Sequence, residues 1–452
     1  MQLPLSIGTK FRLYLPLIMA GISGIRYPSD PAIRTFERTM AADHSSQKGF
    51  HTLCIHGGHR PDGHHAHLTP IYASSTYTFD DAAQAVAVFN GEQDGYIYNR
   101  WGNPTVREAE EKIALMEGYG LTGEDGKQLQ PAAILHASGM AAIQTLFFGT
   151  LRTGDAILTQ ESLYGGTQET IDRILQPLGI ASYAVDFDDE AALNQMLAEH
   201  PEIKLVYVET PDNPTIRLID LARVGAFCRQ QQLLMAVDNT FCTPYLQQPF
   251  KYGADYIVHS TTKYLNGHGT AIGGALVGRT AAHLDGQVTK TFRLMGGSAS
   301  PFDAFLLVNG MRTLPLRLDR HCQNAQRLAD YLTAHPAVAA VHFPGLDTYP
   351  QRALARQQMT NTGAMLSFEL KGGLVAANAF VDALQMCTFA VSLGTTDTLI
   401  SHPATSTHKG VAPETRIRAG VTDGLIRVSV GLENPEDILA DIEQAIAAQD
   451  LS

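Results

Sequence analysis

The sequence predicts an α/β protein in which helices cover a mostly parallel central sheet and a smaller α+β domain follows at the C-terminus. Two observations predict the sheet. Short apolar runs alternate with helix-like stretches from about Pro131 onward, and those runs are apolar on both faces. A change of pattern after Pro301 predicts the second domain. Because such sheets bind ligands at the carboxyl ends of their strands, we expect a functional site in those loops.

The predicted strands of the central sheet are short apolar runs. In chain order they are "AAILHA", "DAILTQ", "YAVDF", "KLVYVET", "LLMAVDNT", "DYIVHS" and "GGALVG". Helices are predicted between them at "DEAALNQMLAEH" and "LARVGAFCRQQ". An earlier helix is predicted after Asn103, which can cap it, with Pro104 in its first turn. One face of that helix is apolar and consists of Val106, Ala109, Ile113 and Met116.

The second domain is predicted from a different order of elements. One long helical region, "AFLLVNGMRTLPLRLDRHCQNAQRLADYL", comes first. Three strand-like runs follow, "AMLSFEL", "TFAVSLG" and "LIRVSVG", and then a final helix, "PEDILADIEQAIAAQ". Strands and helices of this kind predict an α+β arrangement rather than a continuation of the parallel sheet.

The composition is typical of a globular protein with a large core. Of its 452 residues, 44% are hydrophobic and 17% are charged, so more than one domain is expected. The formal net charge of -12, without a long lysine or arginine run, argues against a nucleic-acid partner. Five scattered cysteines lack CxxC spacing, which suggests neither a disulfide framework nor a zinc site and fits a reducing cytoplasm. They are Cys54, Cys228, Cys242, Cys322 and Cys387.

Residues 1–40 differ from the rest of the sequence and are not expected to belong to the folded domains. Lys10 and Arg12 precede the apolar run "LYLPLIMAGISGI", which is too short to span a bilayer. The outline resembles a signal peptide, but no clean A-x-A-like cleavage site follows it. We favour an upstream extension over a leader, since the chain from Met40 onward has the pattern of one enzyme. No membrane partner is expected.

Three loops at predicted strand ends carry chemistry. Ser138-Gly139-Met140 lies between a strand and a helix, where backbone N–H groups and the helix dipole suit a phosphate. Asp238 ends the strand in "AVDNTF", where a carboxylate is costly to bury unless it is paired. Lys263 follows the hydroxyls of 260–262 in "HSTTKY". Taken singly, a packing turn, a helix cap or salt bridge, and a surface loop would explain them.

Taken together, these features predict one pocket. A phosphate cradle, an acid and a lysine at successive strand ends of a parallel sheet converge on the same edge. Pyridoxal 5'-phosphate is the cofactor that requires all three, because a lysine binds it covalently, an acid pairs with its pyridine nitrogen and turn donors hold its phosphate. We therefore expect Lys263 to lie in the interior as the lysine that binds the cofactor.

Eight ordered motifs over residues 50 to 450 resemble those of the trans-sulfuration, or Cys/Met metabolism, family of fold-type I pyridoxal-phosphate enzymes. They are "YIYNRWGNPT", "ASGMAA", "SLYGGT", "ETPDNP", "VDNTFCTPYLQ", "VHSTTKYLNGHG", "SLGTTDTLISHPA" and "LIRVSVGLENPED". The resemblance implies the fold-type I architecture and an amino-acid substrate that carries sulfur.

The resemblance also implies roles for twelve residues. Lys263 corresponds to the lysine bound to the cofactor, Asp238 to the partner of the pyridine nitrogen, and Tyr164 to the tyrosine stacked on the ring. The other cofactor contacts correspond to Gly139, Met140, Ser260 and Thr262 at the phosphate and to Asn213 at the phenolic oxygen. For the substrate, Arg427 matches the arginine that binds the α-carboxylate, and Ser392 a residue near the lysine. Tyr98 and Arg100 match phosphate ligands supplied by the neighbouring subunit.

A shared site implies an oligomer, and the family is typically a homotetramer built from two dimers. On this basis residues 41–104 are expected to form an arm that reaches the neighbouring subunit's site. Residues 105–300 are expected to form the cofactor-binding domain, and residues 301–452 the C-terminal domain. We expect a cytoplasmic location.

The expected reaction is the α,γ-elimination of L-methionine or a related γ-substituted amino acid, which gives 2-oxobutyrate, ammonia and a thiol. Two positions disagree about the substrate. Gly166 stands where methionine γ-lyases usually carry cysteine, whereas Val391 stands where cystathionine γ-lyases usually carry glutamate. The segments "CTPYLQ", "ARQQM" and "FELKGG" favour the methionine γ-lyases. Sulfhydrylation of O-acetylhomoserine and the cleavage or synthesis of cystathionine remain alternatives, because an apolar change shifts specificity by only about 1–3 kcal/mol.

Other classes of function were weighed. A non-catalytic regulator that binds pyridoxal phosphate would not need Tyr164, Arg427 and Lys263 together. A phosphate-binding domain without pyridoxal would not need the lysine. A metal site in the segment "CIHGGHRPDGHHAHL" has irregular spacing and no accompanying carboxylates, so no metal is expected. Its histidines are His56, His59, His64, His65 and His67.

Overall fold

The computed structural model describes residues 48–448 apart from 124 and 411. The predicted N-terminal extension, residues 1–40, lies outside these described residues. Two sheets organise the rest: one of seven strands and one of five.

The large sheet is mostly parallel, as predicted. Its strands are β1 (Ala132–His136), β2 (Ala156–Thr159), β3 (Ala181–Ala184), β4 (Ile203–Glu209), β5 (Leu234–Asp238), β6 (Tyr256–His259) and β7 (Gly274–Gly278). They lie in the order β1-β7-β6-β5-β4-β2-β3. Only β7 runs antiparallel to its neighbours, β1 and β6. The run "YAVDF" was misplaced, because the strand there ends at Ala184 and the chain leaves the sheet edge after it.

Alternate residues of these strands enter separate cores. In β5, Met235 and Val237 pack on one side of the sheet and Ala236 on the other. Both faces are therefore covered, which explains why the strands lack a polar face. The register aligns Glu209 of β4 with Asp238 of β5, and Asp238 with Val258 of β6. Three strand ends thus meet at one edge of the sheet.

Ten α-helices of the described chain lie between residues 50 and 295. They are α1 (Phe50–His56), α2 (Ala82–Phe89), α3 (Pro104–Glu117), α4 (Gly139–Thr150), α5 (Gly165–Thr170), α6 (Glu190–Glu199), α7 (Leu221–Gln231), α8 (Thr243–Leu246), α9 (Ala281–Leu284) and α10 (Gln287–Met295). A π-helical turn, Ile171–Leu175, and two 3-10 turns, Gln176–Leu178 and Pro249–Tyr252, complete this part. The predicted start of α3 is confirmed, since the Asn103 side chain accepts hydrogen bonds from the backbone N–H groups of Thr105 and Val106.

The small sheet and its helices follow. Its strands are β8 (Val338–His342), β9 (Met365–Leu370), β10 (Thr388–Phe389), β11 (Leu399–Ser401) and β12 (Leu425–Ser429), in the order β10-β11-β12-β9-β8. The helices are α11 (Pro301–Arg312), α12 (Leu314–Ala334), α13 (Arg352–Gln358), α14 (Gly373–Ala383), α15 (Pro413–Arg418) and α16 (Pro435–Ala447).

The predicted long helical region is helical and consists of two helices. They are broken at Thr313, because Pro315 lacks an N–H and its ring excludes the preceding turn from a continuous helix. One strand prediction for this region was wrong. The run "TFAVSLG" forms a strand of only two residues, because the backbone at Ser392 turns into the left-handed region with φ 98° and leaves the sheet.

Three further features of the described part of the chain bear on function. No helix there is long and apolar enough to cross a membrane. All five cysteines lie within it, and each is buried and free. No group of three or more histidine, cysteine, aspartate or glutamate side chains in it is arranged to hold a metal ion.

Candidate active site

Four of the predicted site residues form one hydrogen-bonded chain. The Lys263 amine, in the turn after β6, donates to Ser392 Oγ at 2.7 Å. The Ser392 carbonyl oxygen accepts a hydrogen bond from Arg427 at 2.9 Å, and Arg427 also donates to Asn213 Oδ1 at 2.8 Å. Burial, and secondarily the Arg427 charge, lowers the pKa of Lys263 to about 8. Ser392 thus joins an amine whose pKa is about 8 to a guanidinium.

Ser392 holds this position in a strained backbone conformation. Its φ of 98° is rare for a residue with a side chain. Gly394 follows at φ 77° and packs so closely that a Cβ there would lie 2.7 Å from the Tyr264 backbone nitrogen. The segment 392–394 is therefore pressed against the lysine turn, and both oxygens of Ser392 are used.

Arg427 lies inside the protein, in the middle of β12 between Ile426 and Val428. Only 4% of it is exposed, so Arg427 is not a surface arginine. Burial lowers its pKa to about 10. Its guanidinium donates to two neutral oxygens, and its Nε has no hydrogen-bond partner among the described residues. A buried cation so arranged is suited to an anionic ligand group, such as a carboxylate.

Asp238 ends β5 with both carboxylate oxygens engaged. The Thr240 N–H donates to Oδ1 at 3.0 Å, and the Tyr207 hydroxyl donates to Oδ2 at 3.3 Å. Burial raises the pKa of Asp238, while the hydrogen bonds from Thr240 and the charge of His259 act in the opposite direction. Asp238 is therefore a carboxylate held in place at the edge where the lysine turn begins.

The predicted phosphate loop packs against the lysine turn. Ser138 caps α4 by accepting the Ala141 N–H at 3.1 Å, which makes Gly139 the first residue of that helix. A Cβ on Gly139 would lie 2.9 Å from the Ser260 Cβ, so only glycine permits this approach. The Thr262 hydroxyl donates to the Gly273 carbonyl at 3.2 Å and accepts its N–H at 3.1 Å. Helix N–H groups and the Ser260 hydroxyl thus share one spot.

Tyr164 and Met140 meet above this loop. Tyr164 precedes α5 with its side chain 47% exposed. A Cβ at Gly166 would lie 2.7 Å from the Tyr164 ring and 2.9 Å from the Met140 sulfur. The glycine at this position therefore makes room for both side chains, and a cysteine there would require one of them to move.

Tyr98 and Arg100 are not joined to these residues by any contact within the described part of the chain. The Arg100 guanidinium lies 5.8 Å from the Tyr98 ring and 6.0 Å from the Trp101 ring, and it donates to the Arg293 carbonyl. The Tyr98 side chain is nearly half exposed. Both residues lie on an irregular segment between α2 and α3.

The sequence analysis did not predict two buried features near Asp238: the side chain of Glu209 and the pair of His259 with Glu117. Glu209, the register partner of Asp238, accepts the Tyr164 N–H at 2.8 Å. His259 pairs with Glu117 at 2.6 Å, and neither side chain is exposed. The sequence did contain a signal for Glu209, because "KLVYVET" ends on an acid in the same way as "LLMAVDNT" does.

The chain is similar to proteins of known type over nearly its whole described length. The family model for Cys/Met metabolism PLP-dependent enzymes matches residues 51–447. L-methionine gamma-lyase of Porphyromonas gingivalis is 43% identical over 412 residues, which are 90% of this chain and 99% of that protein. O-succinylhomoserine sulfhydrylase of Pseudomonas aeruginosa is 40% identical over 401 residues, 88% of this chain and 95% of that protein.

Solved structures agree. Cystathionine gamma synthase from Xanthomonas oryzae pv. oryzae, in complex with aminoacrylate and cysteine, matches with a TM-score of 0.82 and 37% identity. The match covers 89% of this chain and 99% of that one. The predicted family, its fold-type I architecture and its cofactor are thereby confirmed: the chain belongs to the Cys/Met metabolism family of pyridoxal-phosphate-dependent enzymes.

Proposed function

We propose that this enzyme catalyses the α,γ-elimination of L-methionine or a related γ-substituted sulfur amino acid. The products are 2-oxobutyrate, ammonia and a thiol. The observation that carries the proposal is the chain from Asn213 through Arg427 and Ser392 to Lys263. It provides a buried cation for the α-carboxylate of an amino acid and, one residue away, an amine that can move protons.

The residues present fit pyridoxal phosphate. Gly139 leaves an open approach between the α4 N-terminus and Ser260, where a Cβ would intrude, and such a loop suits a phosphate. Gly139, Met140, Ser260 and Thr262 would hold the phosphate. Asp238 would pair with the pyridine nitrogen and Asn213 with the phenolic oxygen. Tyr164 would lie against the ring, and Lys263 would bind the cofactor covalently. When bound, the cofactor supplies an electron sink for charge that develops on the substrate.

Lys263 is the proton carrier of the proposed reaction. In the cofactor-free protein burial lowers its pKa to about 8, so that about a tenth of the amine is unprotonated at pH 7. A base with a pKa near the working pH accepts and returns protons efficiently. Ser392 Oγ holds the amine at 2.7 Å, which orients it toward the α- and β-carbons of a substrate whose carboxylate lies on Arg427.

Tyr98 and Arg100 serve the phosphate of a neighbouring subunit's cofactor in this proposal. Two observations support that assignment: the exposure of Tyr98, and the fact that neither residue hydrogen-bonds to Lys263 in the described part of their own chain. The enzyme is then a homotetramer with sites shared between paired subunits. The arm comprises residues 41–104, the cofactor domain 105–300 and the C-terminal domain 301–452. The five buried free cysteines support a cytoplasmic location.

Replacement at the γ-carbon is the second candidate, and the 40% identical sulfhydrylase supports it. We would incubate the purified, cofactor-saturated protein with L-methionine, and in parallel with O-acetylhomoserine plus sulfide. Release of 2-oxobutyrate and methanethiol from methionine is the expected result. Homocysteine formed only in the second incubation would make this a γ-replacement enzyme. A protein with the visible band of bound cofactor but without turnover of any family substrate, cystathionine included, would be a regulator.

A further inference from the structure

Glu209 is a buried acid beside the site, and the proposed reaction does not use it. It is the last residue of β4 and lies beside Asp238 in the sheet register. Only 6% of it is exposed. Its backbone is fixed by Gln160, whose side-chain amide both donates to and accepts from it. A carboxyl held this firmly next to the proposed partner of the cofactor's pyridine nitrogen requires an explanation.

The side chain of Glu209 connects β4 to the Tyr164 turn. Oε2 accepts the backbone N–H of Tyr164 at 2.8 Å, and Oε1 lies 3.4 Å from the Thr167 hydroxyl of α5. The turn that carries the exposed Tyr164 ring is therefore attached to the sheet through this carboxyl. Among the site residues proposed above, only Tyr164 depends on a buried acid for its backbone position.

The charges around Glu209 decide which of the two acids is ionised. Asp238 on β5 and Asp212 after β4 both face Glu209, and Tyr207 lies beside them. Two carboxylates on adjacent strands of a dry sheet repel one another, so one of them keeps a proton. Burial, followed by the Asp238 charge, raises the pKa of Glu209 well above its usual range. Asp238, by contrast, has Thr240, Tyr207 and the charge of His259 on β6 to support its ionised form.

We propose that Glu209 is a positioning residue that stays protonated, so that Asp238 is the only ionised carboxylate of the two. The unprotonated oxygen of Glu209, Oε2, accepts the Tyr164 N–H and so holds Tyr164 over the cofactor. A protonated carboxyl has one acceptor oxygen for the Tyr164 N–H and one O–H. The Thr167 hydroxyl, which donates to Oε1 at 3.4 Å in the structure, accepts that O–H once its own hydrogen rotates away. Glutamine has the same shape and the same pattern of one acceptor and one donor. The proposal rests on the proposed function for the roles of Asp238 and Tyr164, but not on the identity of the substrate.

The test compares three variants by cofactor binding and by the pH dependence of the visible absorbance, both without substrate. Glu209→Gln reproduces the protonated acid, and Glu209→Met fills the space but offers no acceptor to Tyr164. Glu110→Gln is the matched control: Glu110 accepts the Leu135 N–H at 2.9 Å, and burial raises its pKa to about 8, yet it faces the arm.

We expect Glu209→Gln to keep the cofactor affinity within about threefold and the absorbance midpoint within about 0.3 pH units of wild type, since no charge is removed. Glu209→Met should weaken cofactor binding about tenfold without moving the midpoint, because an orphaned N–H and a loosened Tyr164 are the only changes. Glu209→Gln should therefore bind the cofactor more tightly than Glu209→Met does, with an affinity close to that of wild type. Glu110→Gln should have the cofactor affinity and the absorbance midpoint of wild type.

A shift of the midpoint in Glu209→Gln to lower pH by half a unit or more would mean that a negative charge had been lost, and would overturn the proposal. Equal cofactor affinity in a folded Glu209→Met and in wild type would overturn the positioning role. If Glu209→Met does not fold, the midpoint and affinity of Glu209→Gln decide the matter alone. A wild-type protein that shows no visible band would instead refute the proposed function.

Discussion

The residues at the carboxyl edge of β4, β5 and β6 and the pair on the arm are held in different ways. Asp238 and Glu209 end buried strands, and their carboxyl oxygens accept hydrogen bonds from the same chain. Tyr98 and Arg100 lie on an irregular segment. Tyr98 is nearly half exposed, and the Arg100 guanidinium lies near the Tyr98 and Trp101 rings. One chain thus completes by itself the part of the proposed site that handles substrate charge and protons. The arm residues are suited to completing another copy.

The largest effect is expected at Lys263, in the turn that follows β6. Lys263→Ala removes the proposed proton carrier and should reduce turnover by at least about 10³-fold while the protein stays folded. Turnover with saturating cofactor and circular dichroism check this. Lys204→Ala, which alters an exposed lysine on β4, is the control. Turnover close to wild type in Lys263→Ala would remove this lysine from the reaction.

Arg427→Ala tests the proposed substrate contact, which lies on β12 of the small sheet. The loss of a charge-assisted contact with the α-carboxylate should lower kcat/KM by about 10²-fold, mostly through a higher KM. Arg427→Lys keeps the charge without the planar fork and should recover part of the loss. Steady-state kinetics with the proposed substrate give both constants. An unchanged KM in the alanine variant would contradict the assignment.

Arg100→Ala tests the arm. It should weaken cofactor binding about tenfold, since one charge-assisted phosphate contact is lost. If sites are shared, mixing this variant with Lys263→Ala creates pairs in which one site has both residues intact. At equal proportions, and at a limiting cofactor concentration at which Arg100→Ala alone has little activity, about a quarter of wild-type activity should return, because half of the pairs are mixed and each has one intact site. Mixed oligomers that are verified by mass and remain inactive would place Arg100 in its own chain's site.

The smallest effect concerns the stability of the cofactor-free protein. Folding lowers the pKa of Lys263 from its usual value to about 8, so between pH 8 and the unfolded value the unfolded chain binds more protons. The stability cost of Lys263 is therefore fully present below pH 8 and disappears as the pH rises. Lys263→Met should raise the free energy of unfolding at pH 7 by on the order of 1 kcal/mol. Denaturant titrations at pH 7 and pH 10 check this, and a gain that does not shrink with pH would contradict it.

The residues that follow strands of the large sheet were the part of the site that could be predicted from the sequence. Asp238 and Lys263 each follow an apolar run, and the topology of a parallel sheet brings such ends together. Glu209 follows the same rule, but its proximity to Asp238 depends on which strands are neighbours, and a single sequence does not reveal strand order. The contact between Ser392 and Lys263 spans 129 positions and a left-handed backbone turn, for which the residue type gives no signal.

The backbone conformation of Ser392 has a consequence for any attempt to make this enzyme more robust. Glycine adopts φ 98° without strain, so Ser392→Gly relieves a local penalty and removes the hydroxyl that holds the Lys263 amine. We therefore expect a library selected only for thermal stability to accumulate this substitution, and the selected variants to have a higher melting temperature and a lower turnover. At position 392, selection for stability favours glycine and selection for turnover favours serine.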